Sequence, residues 1–126
     1  MGVQIEVPAA LARRLGAAGN QVPQPQTGQA LIDTGASVTC VHEPTLTNLG
    51  VQPVGSATIG TAGGEHQRGL YPTRILLPQA NIDAEYASVV SVDLSGQGII
   101  ALLGRDFLER VLMVYDGPSG EIILGY

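Results

Sequence analysis

Ala30-Leu31-Ile32-Asp33-Thr34-Gly35-Ala36-Ser37 is the stretch on which the fold turns. Three apolar residues run straight into a polar, glycine-containing turn, and Val38-Thr39-Cys40-Val41 resumes an apolar, β-branched run behind it. Residues of that kind suit a pleated, half-buried surface, so the segment reads as strands 29–32 and 38–41 joined by a tight turn. The turn presents one carboxylate, Asp33, between two buried strands. A turn aspartate also has an ordinary use, accepting N–H bonds from its own loop backbone.

Working outward, residues 3–7 alternate apolar and polar with the period of a half-buried strand, and Pro8 ends it. Residues 9–18, rich in Ala, Leu and Arg, predict a helix entered from Pro8 and closed at Gly19-Asn20. A polar loop with Pro23 and Pro25 then leads to the Asp33 segment. Beyond it, residues 44–49 read as a short helix closed by Gly50, and residues 51–54 and 57–59 as strand pieces leading to Gly60-Thr61-Ala62-Gly63-Gly64. A glycine-rich tip between strands predicts a hairpin able to move. Residues 70–77, 84–92 and 98–103 supply further strands, the first limited by Pro72 and Pro78. A short helix at 106–111 precedes a closing hairpin, 111–115 and 121–126, around Gly117-Pro118-Ser119-Gly120. About nine strands and three short helices predict a mainly β fold, a closed barrel or sandwich. Residues 1–126 are expected to form a single domain, 1–28 giving a strand, helix and loop and 29–126 the core.

Composition narrows the function. An apolar fraction of 44% beside 13% charged residues argues against disorder. With a net charge of −5, no Lys and six Arg dispersed apart from the pair Arg13-Arg14, the chain has no basic stripe to displace counterions, so nucleic acid is not an expected partner. A single cysteine, Cys40, excludes an intrachain disulfide framework and a Cys-based zinc site. Cys40 with His42 and His66 is not read as a metal site; Cys40 reads as a small buried apolar residue. Tyr71, Tyr86, Tyr115 and Tyr126 read as barrel-edge or interface aromatics. No stretch has the length of a membrane span and no leader is read at the start, so the expectation is a soluble, cytoplasmic protein without cofactor or metal.

The segment from Ala30 to Ser37 resembles the active-site loop of the retropepsin-like aspartic peptidases, the retroviral proteases and their bacterial relatives. A second match is Leu102-Leu103-Gly104-Arg105-Asp106-Phe107-Leu108, which is similar to the segment that opens the C-terminal helix of that family. Between the two the family places its flap, where this chain has Gly60 to Gly64. Asp-Thr-Gly alone is a weak signal. The three features in this order, over residues 30–124, are a strong one.

The resemblance implies a single-lobe acid-protease fold and Asp33 as the catalytic carboxylate. Amide hydrolysis without a metal or a covalent nucleophile needs one carboxylate to take a proton from water and a second carboxyl to protonate the carbonyl oxygen. Two carboxyls held together cannot both ionise and so share a proton, as aspartic proteases do. This chain has only one Asp-Thr-Gly, so the second Asp33 is expected from an identical subunit across a two-fold axis. By the same resemblance Thr34 and Gly35 support the site, with Thr34 hydrogen-bonding across the axis. Ala36, Ser37 and the tip residues Gly60, Thr61, Ala62, Gly63 and Gly64 are expected to contact a peptide substrate. Gly104, Arg105 and Asp106 are assigned structural roles. Retroviral enzymes commonly carry an acid where this chain has Ser37, so Arg105 needs another partner. The terminal segments 3–7 and 121–126 are candidate interface strands. A catalytically weak peptide-binding or dimerisation module is the alternative function. A small-ligand β-barrel carrier accounts for the strands but leaves both motifs unexplained.

Overall fold

In the computed structural model all 126 residues are described except for the side chain of Thr61. Nine strands and three α-helices follow in the order β1 (Gly2–Glu6), α1 (Ala9–Ala17), β2 (Gln26–Ile32), β3 (Cys40–His42), α2 (Glu43–Leu49), β4 (Gly55–Thr61) and β5 (Gly64–Leu77). After a 3-10 turn (Pro78–Ala80) come β6 (Ile82–Val92), β7 (Ala101–Leu103), α3 (Arg105–Leu108), β8 (Leu112–Asp116) and β9 (Glu121–Gly125). The large sheet has the order β1-β2-β7-β3-β6-β5-β4. Because β1 also pairs antiparallel with β5, six strands close into a barrel and β4 is left outside the ring, on the edge of β5.

Closure follows from the side-chain pattern. Val3 and Ile5 of β1, Ile75 and Leu77 of β5, and Ala101 and Leu103 of β7 point inward at two-residue spacing and are almost wholly buried. Each large side chain so buried contributes roughly 1.5–3 kcal/mol of hydrophobic stabilisation. Helix α2 starts with Glu43 and Pro44 in its first turn, ends on Gly50 at φ 69, and lays Leu46 and Leu49 on this core. Helix α1 has no buried residue; Leu11 and Ala12 only lean on the core, and its first N–H, at Ala9, donates to Glu85 Oε1 at 2.9 Å.

Several predicted boundaries move. Residues 38–39 are not strand, because Thr39 is taken up by long-range bonds described below. Residues 51–54 form a loop: Pro53 has no N–H to give, and only Val54 N–H reaches a strand carbonyl, that of Leu70. Strand β5 runs through Pro72, which sits in a register shift between Tyr71 and Thr73, a bulge that removes the need for its missing donor. Residues 98–100 precede β7 as loop, and the predicted 106–111 helix is one turn, Arg105–Leu108. Tyr86, expected at an edge, is a core residue at 5% exposure, on the same inward face as Ile82 and Ala84.

Candidate active site

The decisive geometry is a crossing. Strand β2 runs parallel to β7 on one side, and β3 runs antiparallel to β7 on the other. The connection from β2 to β3, which is the Asp33 turn, therefore has to arch over the end of β7. Backbone bonds fix the arch at both feet: Asp33 N–H donates to Leu103 O at 2.9 Å, and Arg105 N–H donates to Ala36 O at 2.9 Å. Gly104 lies beneath it. A Cβ there would meet the carbonyl carbon and oxygen of Val38 at 2.6 Å and Ala36 O at 3.1 Å, so only glycine lets β7 and the turn approach this closely.

Thr39 and Asp106 lock the crossing. Thr39, at 0% exposure, donates through its N–H to Asp106 Oδ2 at 3.0 Å and through Oγ1 to Asp106 Oδ1 at 2.7 Å. The same Oγ1 accepts the Gly104 N–H at 3.2 Å, and Asp106 Oδ1 also accepts the Phe107 N–H at 2.8 Å. The Asp106 carboxylate thus ties the turn to the start of α3 with charge-assisted bonds, and the Thr39 hydroxyl adds the end of β7. Thr39 was not singled out from sequence, and its partner 67 residues away explains why.

Arg105 finds its partner in a backbone carbonyl: its Nη1 donates to Thr34 O at 2.9 Å. The partner left open by Ser37 is therefore the turn itself. Thr34 and Gly35 are exposed, Ala36 is half-buried with its carbonyl committed to Arg105, and Ser37 is exposed. Asp33 is half-buried; Gly35 N–H donates to its Oδ1 at 2.9 Å, and among the described residues Oδ2 accepts no hydrogen bond. A Cβ on Gly35 would stand 3.2 Å from that same Oδ1, so glycine also leaves the carboxylate its room. The ordinary turn bond and an unengaged carboxylate oxygen coexist in one residue.

An open cavity of about 510 Å³, lined by Thr34, Arg105, Leu108 and Glu109, adjoins the turn. The predicted mobile tip is the end of the β4–β5 hairpin. Thr61 pairs with Gly64 in register, and Gly64 has φ 108, which disfavours a side chain. Gly60, Ala62, Gly63 and Gly64 are exposed there, while the side chain of Thr61 lies outside the described residues.

Cys40 is half-buried near this site; burial, then the charge of Asp106, then that of Asp33, push its thiol up from the ordinary range. Burial likewise pushes the Tyr86 phenol up to about 12, and Arg110 stacks over its ring at 4.7 Å. His42 accepts the Leu94 N–H at Nδ1. Among the described residues no group of three or more His, Cys, Asp or Glu side chains is placed to hold a metal ion, and no helix is long and apolar enough to cross a membrane.

A closed β-barrel whose Asp-Thr-Gly turn arches over the end of a strand, above Gly-Arg-Asp, defines the single lobe of a retropepsin-like aspartic peptidase. The chain belongs to the gag-polyprotein putative aspartyl protease family, whose model matches residues 19–110. Among solved structures it is similar to the solution structure of the Simian Foamy Virus (mac) protease, with 20% identity over 86% of this chain and 92% of that one and a TM-score of 0.49. No curated protein matches.

Proposed function

We propose that this chain is an aspartic endopeptidase that works as a homodimer, each copy contributing one Asp33 to a pair that activates water. The observation that carries the reading is the Asp33 turn: bonds to Leu103 and Arg105 hold its shape, while among the described residues one Asp33 carboxylate oxygen accepts no hydrogen bond. In the pair, one Asp33 takes a proton from water as the other, protonated, donates to the scissile carbonyl oxygen. A shared proton between close carboxyls gives the pair coupled titration, so activity belongs to acidic-to-neutral pH. Thr34, exposed at the turn, holds the two loops in register, and Gly35 admits the substrate backbone. Ala36, Ser37 and the tip of the β4–β5 hairpin, Gly60 to Gly64, bind an extended peptide, the hairpin closing over it and excluding water. Residues 1–126 act as one peptidase domain.

The test is cleavage of a peptide library at acidic to neutral pH by the wild-type chain and by Asp33→Asn. Loss of general acid–base catalysis lowers turnover by about 10²-fold or more. Equal cleavage by both proteins would sink the reading, and peptide binding without turnover in both would favour a binding module in its place.

A further inference from the structure

We infer that the groove between β6 and α3 holds an extended peptide segment of alternating apolar and basic residues, which adds to the barrel as a strand beside β6. The inference does not depend on the peptidase reading. The groove is separate from the cavity beside the Asp33 turn: Phe107 and Arg110 line the one, Leu108 and Glu109 the other.

The phase of the backbone bonds leaves β6 an open edge. The Met1 amine donates to Ala30 O and Ala30 N–H donates to Met1 O, so Met1, Val3 and Ile5 turn their backbone groups toward β2. Gln4 and Glu6 therefore turn theirs toward Leu76 and Arg74 of β5. In β5 it is then Ile75 and Leu77 that face β6, where they meet Ala84 and Ile82. Asp83 and Glu85 point their N–H and C=O groups the other way, and among the described residues β6 has no strand partner on that side before Val90. Two side-chain bonds agree with this phase: Arg110 Nη1 donates to Glu85 O at 3.4 Å, and the Tyr126 hydroxyl donates to Asn81 O at 2.7 Å. The edge borders an open groove of about 340 Å³, with residues 81–85 along one wall and Phe107, Arg110, Val111 and Tyr126 along the other.

Three features define the occupant. Backbone donors and acceptors repeated at every second residue are matched by another extended backbone. On the inward side the groove is apolar, with Ile82 and Ala84 facing the core and Phe107 and Val111 across from them, so alternate residues of the occupant are apolar. The outward side carries an excess of acid. Glu6 stands opposite Arg74 and Arg74 opposite Glu85, while the Arg74 guanidinium is bonded to Asp83, so three carboxylates surround one arginine. A basic residue beside Asp83 or Glu85 continues the alternation of sign, and an acid there is repelled. Arg110 does not supply that charge, because it lies on the inward side over the ring of the buried Tyr86.

The probe is acetyl-Val-Lys-Val-Lys-Val-amide, added to the ¹⁵N-labelled full chain and followed by amide shifts and hydrogen exchange. In the free chain the Asp83 and Glu85 amides should exchange at least about tenfold faster than those of Ile82 and Ala84. The probe should slow them and shift residues 81–85 and 107–111, in wild type and in Asp33→Asn alike. Of two N-methylated probes, one blocked at the lysine nitrogens and one at the valine nitrogens, only one should lose at least about tenfold in affinity, since a strand turns alternate N–H groups to its neighbour. The Val-Glu counterpart should bind more weakly, and Glu85→Lys should reverse the preference, each by about two- to fivefold, the scale of a cross-strand charge pair. Glu85→Gln, which should abolish the preference, serves if the lysine variant does not fold. Slow Asp83 and Glu85 exchange in the free chain, or no shift with about 1 mM probe, would overturn the site. So would shifts confined to residues 33–37 and 60–64, binding lost in Asp33→Asn, or two methylated probes that bind like the parent.

Discussion

Thr39→Val and Thr73→Val are the same chemical change at two positions of equal burial, both 0% exposed, and they should act in opposite directions. Valine keeps the shape of threonine and removes the hydroxyl. At position 39 that hydroxyl makes a 2.7 Å bond to the Asp106 carboxylate and accepts the Gly104 N–H. A hydrogen bond to a charged group contributes roughly 1.5–3 kcal/mol, and a stranded buried N–H costs about 1–3 kcal/mol. Both losses come from one atom and overlap, so the expected cost is about 2–4 kcal/mol. At position 73, Oγ1 is buried with no hydrogen-bond partner among the described residues, so its removal relieves a desolvation cost. There the expectation is no loss and a gain of up to about 1 kcal/mol. Urea unfolding followed by far-ultraviolet circular dichroism is suitable, with equal slopes required before midpoints are compared. With a slope of about 1–3 kcal/mol per molar, the Thr39 variant should lose roughly 1 M or more in midpoint. A Thr39→Val cost no larger than that of Thr73→Val would refute the argument that the Thr39–Asp106 lock holds the crossing together.

Gly104→Ala places a Cβ 2.6 Å from Val38 backbone atoms that cannot rotate away. It should destabilise by about 1–3 kcal/mol or more in the same assay, and a neutral result would mean that the turn is not held against β7. Alkylation of Cys40 measures the Asp33 charge, because that charge helps raise the thiol. Asp33→Asn should therefore shift the pH profile of iodoacetamide labelling to lower pH, and an unmoved profile would refute the coupling. The exposed Arg74–Asp83 pair lowers the Asp83 carboxyl. Its contribution is then present above the unfolded carboxylate range and lost as pH falls through the lowered folded value. Screening holds it to about 0.2–1 kcal/mol, so Asp83→Asn should change neutral-pH stability little and acid stability less.

How much of this was legible in the sequence depended on whether a feature is local. The Asp33 turn and the order of strands and helices follow from residues adjacent in the chain, and so does the glycine tip. Pro72 misled because a bulge accommodates it, which depends on the register with β6. Tyr86 was readable: Ile82, Ala84 and Tyr86 share a two-residue period that marks one inward face. The Thr39–Asp106 lock was not readable, since nothing in Val-Thr-Cys identifies a carboxylate 67 residues on as its partner. The partner of Arg105 is not readable either, since a guanidinium is satisfied by a carbonyl as well as by an acid, and backbone acceptors leave no trace in residue identity.

The bonds that shape the Asp33 turn divide the labour between chain and partner. Leu103, Gly104, Arg105 and Asp106 lie on one side of the crossing and Asp33, Thr34, Ala36 and Thr39 on the other, and all of these bonds are within one copy. These bonds tie the turn to its own chain, and in the proposed dimer the second copy supplies the other carboxyl. Folding and activation separate on that view. Chain diluted below the dimer range should retain its melting behaviour apart from the mass-action term and lose cleavage, and reconcentration should restore it without a refolding lag.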